Sequence, residues 1–335
     1  MQLIDKEVPG PKRDFVGYGR RPPQAVWPQN ARVAVNLVVN YEEGSEYAKP
    51  AGDERNEGLA EINYALDKKY RDLATESVYE YGSRAGIWRL MRLFDEYKIQ
   101  VTFFACAVAL ERNPEVGEWI AESGHEPCSH GWRWSEHWRL SREEEQQHLQ
   151  WAIESIQKTC GERPLGWYCR YGPSVHTREL IVAEGGFVYD ADAYNDDLPY
   201  FTQVGDTQHL IVPYSFTYND ARYVLPQGYG SPADFFESCK RGLDELSAEG
   251  EAGYPSADCR PGRPDVGTAR VYRIRLGQRW GVDDAAHRHC PLVAGPSPGI
   301  PTLVHPISVK EGADGQRMDG KTGDPGTLCP LCPRH

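Results

Sequence analysis

An α/β fold with a parallel sheet is predicted by two patterns that alternate along residues 31–200. Apolar runs ending in acidic residues read as buried strands, and segments with apolar residues at helical spacing lie between them. In a parallel barrel or wound sheet of this kind, chemistry gathers where strands end at their carboxyl side.

The elements follow in order. "ARVAVNLVVNYEEG" (31–44) alternates and then runs apolar, a strand that delivers Glu42 and Glu43 at its end. "SRAGIWRLMRLFDEY" (83–97) places Ile87, Leu90, Met91 and Phe94 on one helical face. "IQVTFFACAVAL" (99–110) reads as a second buried strand. "NPEVGEWIAES" (113–123) starts a helix with Asn113 as N-cap and Pro114 at its first position. "SREEEQQHLQWAIESIQKTCG" (141–161) is the clearest helix, opened by a Ser141–Glu144 capping box and stopped at Gly161. "LIVAEGGFVYDADAYNDDLPY" (180–200) is a helix end, a glycine turn and another strand ending in acids, among them Asp190 and Asp192.

Bulk properties narrow the function. With 37 basic and 49 acidic residues the chain carries a net charge of −12, which argues against nucleic acid or an anionic membrane as partner. No apolar run is long enough to span a bilayer, and "MQLIDKEVPGPKRDF" lacks the apolar stretch of a secretory signal. Nine cysteines without a repeating framework fit a reduced, cytoplasmic setting, as core residues and surface thiols. "CPLC" (329–332) near His335 offers half the ligands of a zinc knuckle.

The composition changes near residue 254. Residues 255–335 hold 11 of the 25 prolines but only two of the 37 aromatics, Tyr272 and Trp280. Such a segment cannot easily bury a core, so we expect an irregular tail after a catalytic domain over 1–254.

"EPCSHGWRW" (126–134) contains His130 and, four residues on, Trp134. A metal-holding turn would place a second histidine there, on the same helical face. Each candidate also has a structural reading. Adjacent glutamates after a strand can be a solvated loop, a lone histidine a satisfied core group, and clustered aspartates turn caps. Recurrence at successive strand ends points to a site.

The order of blocks is itself distinctive: a strand ending in paired acids, then "GHEPCSHGWRW", "RPLGWYCRYGP" and "YDADAYNDDLPY". It resembles the polysaccharide deacetylase, or NodB-homology, family over roughly residues 10–250. Within it, Glu42–Glu43 in place of paired aspartates and Trp134 in place of histidine look like the branch of metal-independent allantoinases and cyclic imide hydrolases. "RDFVGYG", "NYEEGSEY", "YEYGSRAGIWRL" and "RNPEV" look like that branch too. The resemblance implies a distorted (β/α) barrel and hydrolytic opening of a cyclic imide or ureide, with no cofactor. It implies Glu42 as catalytic base and Glu43 as acceptor of a ring N–H or orienter of water. His130 would polarise the carbonyl or shuttle a proton, and Asp192 would orient a neighbouring basic group. Trp134 would be a flat wall for a planar ring, Arg170 a grip on a carbonyl oxygen, and Tyr168 and Trp132 pocket walls. A small-molecule substrate and a homo-oligomer are the expected partners.

Three alternatives stand beside this. One is a metal-dependent deacetylase of chitin or peptidoglycan type. Another is a binding protein without chemistry. The third holds a divalent metal such as zinc on Glu43, His130 and His137, the last sharing a helical face with His130. The tail bears on all of them, because the family closes with a histidine-bearing strand and a helix that are not in frame here. Back-translated with legal codons and read one base later, "VYRIRLGQRWGVDDAAHRHCPLV" (271–293) gives "FIEYALGKDGVWMTRRIDIARWW" without a stop. We therefore expect a frameshifted tail and a barrel incomplete at its C-terminus.

Overall fold

The computed structural model describes residues 8–252, except 21, 24, 26, 60–65, 171 and 225–227, together with the strand at 272–275. The expected alternation is present. In chain order the elements are β1 (Val35–Tyr41), α1 (Leu73–Tyr81), α2 (Ile87–Tyr97), β2 (Thr102–Ala105), α3 (Ala107–Arg112), α4 (Pro114–Glu122) and β3 (Glu126–Ser129). They continue as α5 (Arg142–Cys160), β4 (Gly166–Trp167), α6 (Thr177–Glu184), β5 (Tyr189–Asp190), β6 (Tyr200–Val204), β7 (Thr207–Ile211), α7 (Pro232–Ala252) and β8 (Tyr272–Arg275).

The strands form one sheet in the order β6-β7-β5-β4-β3-β2-β1-β8. Every pairing is parallel except the β6–β7 hairpin. Among the described residues β6 and β8 do not pair, so the distorted barrel is open there. Registration is the feature that builds the site. Tyr41 pairs Ala105, Ala105 pairs Ser129, Ser129 pairs Trp167, and Trp167 pairs Asp190. Successive side chains alternate faces. Val39, Tyr41, Phe103 and Ala105 therefore point outward onto Ile87, Leu90, Met91 and Phe94 of α2 and onto α4 and α5. Val38, Phe104, Cys128 and Tyr168 point inward and pack with Ala191 and Tyr214.

Several elements differ from the sequence expectation. The helix expected over 83–97 is regular only from Ile87, because Gly82–Gly86 forms a π-helical turn that joins it to α1. The strand expected over 99–110 ends at Ala105, and the rest of that apolar run winds into α3, whose first N–H groups donate to the carbonyls of Gly131 and Trp132. Asn113 sits at the N-cap of α4 without capping it; its amide donates to Ser83 instead. The Ser141–Glu144 capping box forms in full. The β6–β7 hairpin was not expected, although "YFTQVGDTQHLI" alternates on either side of a Gly-Asp turn.

Within the segment expected to be irregular, residues 272–275 pair in parallel with β1. The rest of 255–335, with the reading-frame question and the cysteine pair near its end, lies outside the described residues. The five described cysteines (106, 128, 160, 169 and 239) are all buried, none of them a surface thiol. Among the described residues no helix is long and apolar enough to cross a membrane.

Ser141→Ala removes the cap of the helix that backs β3 and β4. It should lower stability by about 1 kcal/mol, read as an earlier thermal or urea transition with an unchanged slope.

Candidate active site

One step beyond the registered row, β1, β3 and β4 deliver Glu42, His130 and Tyr168 to the inner face at one depth. All three are buried. Glu42 Oε1 lies 3.2 Å from His130 Nε2, and His130 Nδ1 lies 2.6 Å from the Tyr168 carbonyl oxygen. A carbonyl can only accept, so Nδ1 carries a proton and Nε2 is the end that exchanges one. Nε2 thus faces the Glu42 carboxylate. Tyr168 also stacks on the imidazole, rings 5.1 Å apart and 6° from parallel, which locks the histidine from a second direction.

Glu43 does not stand beside Glu42, as the strand's alternation requires. Its carboxylate accepts the Glu42 backbone N–H at 3.1 Å. Its side chain runs against Gly82 in the π-helical turn, where a Cβ would come within 2.5 Å of Glu43 Cγ. Tyr41 and Asn113 hold that turn through the Ser83 hydroxyl at 2.9 and 3.0 Å. The Glu43 side chain thus lies between the Glu42 backbone and the π-helical turn.

Trp134 and Arg170 meet each other. The guanidinium lies 3.8 Å from the centroid of the indole ring and donates to the Trp134 carbonyl at 3.1 Å. It also forms a two-pronged pair with Glu57, at 2.6 and 3.2 Å. Arg170 therefore covers one face of the indole expected to be an open wall. The Trp134 backbone N–H donates to the Ser45 carbonyl, and the Ser45 backbone N–H donates to the Glu42 carbonyl, so the tryptophan is tied to Glu42 through one residue. Tyr47 sits under the same lip, capped by Arg55 at 4.3 Å from its ring centroid, with its hydroxyl donating to Glu136 at 2.8 Å.

The acids after β5 divide their work differently from the expectation. The Asp190 carboxylate holds Arg178, accepting at 2.8 and 3.0 Å. His209 Nε2 is 3.2 Å from Asp190, near enough for charge attraction but off the line of a hydrogen bond. Burial alone would raise the Asp190 carboxyl, yet His209 and Arg178 hold it below its ordinary value. Asp192 shows the reverse: burial, reinforced by the Asp190 charge, holds it well above the usual carboxylate range. Its Oδ1 accepts the Cys169 N–H at 3.1 Å.

Two expected residues are engaged elsewhere. Trp132 packs on His148 and Trp151 of α5, at 5.0 and 4.6 Å between rings, so it walls the helix layer. His137 Nδ1 pairs with the buried Glu145 at 3.2 Å, and Ser174 and Thr177 also donate to that carboxylate. Among the described residues no three of His, Cys, Asp and Glu come together as a metal-holding group, and the second histidine position is Trp134. His137 is thus turned to Glu145 and does not group with Glu43 and His130.

Glu57, Tyr47 and Gly82 were not singled out from sequence. Gly82 carries a signal, an isolated glycine inside a helical pattern, which points to close packing. Glu57 sits in a loop with no periodicity and carries none.

Residues 73–189 match the polysaccharide deacetylase family. A Schizosaccharomyces pombe protein named for polysaccharide deacetylase is 34% identical over 263 residues, which cover 72% of this chain and 82% of that protein. The chain belongs to the polysaccharide deacetylase family. A Helicobacter pylori peptidoglycan deacetylase is 27% identical over 128 residues, covering 38% of this chain and 44% of that one. The crystal structure of PuuE allantoinase superposes with a TM-score of 0.71 at 38% identity, over 84% of this chain and 88% of the other. Within this deacetylase family, the last similarity supports the allantoinase-like branch that Glu42, Glu43 and Trp134 indicate.

Gly82→Ala should cost about 1–3 kcal/mol and displace Glu43, because the new methyl meets that side chain rather than open space. A melting curve and a crystal structure of the variant check both parts. Asp192 gives a pH dependence of defined sign. Unfolded, it ionises at about 4. The folded chain retains the proton, so this group's contribution to stability falls as pH rises above that value. Asp192→Asn cannot lose a proton there. Its melting temperature relative to the wild type should therefore climb from about pH 5 to about pH 8.

Proposed function

We propose that this chain hydrolyses a small cyclic amide, an imide or ureide, by opening its ring. The observation that carries the reading is the buried Glu42–His130 pair with Nδ1–H committed to the Tyr168 carbonyl. Such a pair takes up one proton and returns it without any further group. Glu42 accepts a proton from water as the water oxygen bonds to the acyl carbon. The ring C–N bond then breaks, and the proton passes from the pair to the departing nitrogen, leaving a carboxylic acid and an open amide or urea. The structural similarity to an allantoinase supports the ring, and Trp134, carrying Arg170, supports a planar and polar one. Arg170 keeps its place through Glu57, so its charge is a fixed dipole at the lip of the site.

Deacetylation is the second reading, favoured by the names of the fission-yeast and H. pylori relatives. It breaks the same type of bond, so substrate decides. Incubation with allantoin, hydantoin, succinimide and N-acetylglucosamine oligomers, followed by NMR, should show ring opening and no acetate. Acetate release without ring opening refutes the proposal. Glu42→Gln keeps the volume and removes the base, and kcat should fall on the order of 10²–10⁴-fold with the melting temperature nearly unchanged. Exhaustive chelation should leave the wild-type rate intact; loss of rate restored by zinc would return His137 and Glu43 to consideration as ligands.

A further inference from the structure

We propose that Asp192 is a positioning residue that acts on His130 through the single peptide group between Tyr168 and Cys169. This rests on His130 being half of the proposed acid–base pair. The peptide is held at both ends. Its carbonyl, on Tyr168, accepts His130 Nδ1–H at 2.6 Å. Its N–H, on Cys169, donates to Asp192 Oδ1 at 3.1 Å. In a trans peptide these two groups point in opposite directions, so a pull on one side sets the aim of the other. The Cys169 thiol donates to the same Asp192 oxygen at 3.5 Å, which fixes that residue's side chain as well.

Asp192 is itself immobilised from behind. Its N–H donates to Asp190 Oδ1 at 3.1 Å, and its carbonyl accepts from Arg178 at 3.4 Å, while Arg178 grips Asp190 with two further bonds. The chain of contact therefore runs from Arg178 and Asp190 to Asp192, across the peptide, to the imidazole and on to Glu42. Without the Asp192 acceptor the Cys169 N–H would be buried and unpaired, and the peptide would be free to turn toward another partner. The Tyr168 carbonyl would then leave His130 Nδ1, and the fixed tautomer would be lost.

The test compares full-length wild type, Asp192→Ala and Asp192→Asn by two readouts. The first is the imidazole ¹⁵N signature of His130, assigned by its loss in His130→Gln, and it needs no substrate. Wild type should show a protonated Nδ1. Asp192→Ala should show mixed tautomers, and Asp192→Asn, which keeps an acceptor oxygen, should restore the protonated Nδ1. The second is turnover: Asp192→Ala should lower kcat at least tenfold with KM changed less than twofold, and Asp192→Asn should recover most of it. A His130 signature that is the same in Asp192→Ala as in wild type overturns the proposal, as does a wild type without Nδ1–H. If Asp192→Ala does not fold, Asp192→Ser takes its place. Its shorter side chain withdraws the acceptor, and a wild-type signature there is equally fatal. Because the tautomer readout stands apart from turnover, failure of the cyclic amide reading would leave this result interpretable.

Discussion

The register of the parallel strands is the constraint from which the rest of this structure follows. Tyr41, Ala105, Ser129, Trp167 and Asp190 stand in one row across five strands. Hydrophobic packing decides which way that row faces, since Tyr41 and Ala105 lie in the core beneath α2, α4 and α5 and Trp167 in the core beneath α5 and α6. Once those side chains are committed outward, the next residue of each strand has no choice but the inner face. Glu42, His130 and Tyr168 thus converge because their predecessors are buried. A slip of one residue in β1 or β4 would send Glu42 or Tyr168 into the helix layer and Tyr41 or Trp167 into the site.

How much of this was legible in the sequence depends on the range of the interaction concerned. The end of β1 and the helix over 141–161 depend on local periodicity and capping, and they lie where the residues indicate. The division of labour between Glu42 and Glu43 was also implicit in period-two alternation. It was obscured because the resemblance assigns both acids to the reacting centre. Asp190 and Asp192 share a face, so alternation could not separate them. What separates them is Arg178, which reaches Asp190 from α6. The Arg170–Glu57 pair joins residues 113 apart in the chain, and nothing local marks either partner. The helix over 83–97 starts later than its periodicity indicates because the π-helical turn is stabilised by Tyr41, Asn113 and the space Glu43 requires, all outside that segment.

Trp134 shows how the turn after β3 is held. Its indole receives a guanidinium at 3.8 Å, a cation held by a ring face and by Glu57. That positive charge is carried by a side chain that stays charged throughout the accessible pH range. Glutamate at position 42 is long enough to reach His130 directly, and the carboxylate and imidazole meet at 3.2 Å.

The buried acids extend the argument from geometry to charge. Ionising both Asp190 and Asp192 within so little solvent would set two negative charges on residues joined by a backbone hydrogen bond. Arg178 and His209 resolve the conflict in favour of Asp190, leaving Asp192 as the member that retains its proton. A neutral Asp192 still offers an acceptor oxygen to the Cys169 N–H. The arrangement thus separates two demands that one carboxylate could not meet. Asp190 supplies the charge that anchors α6 to the sheet, and Asp192 supplies the uncharged contact that aims the Tyr168 carbonyl at the imidazole.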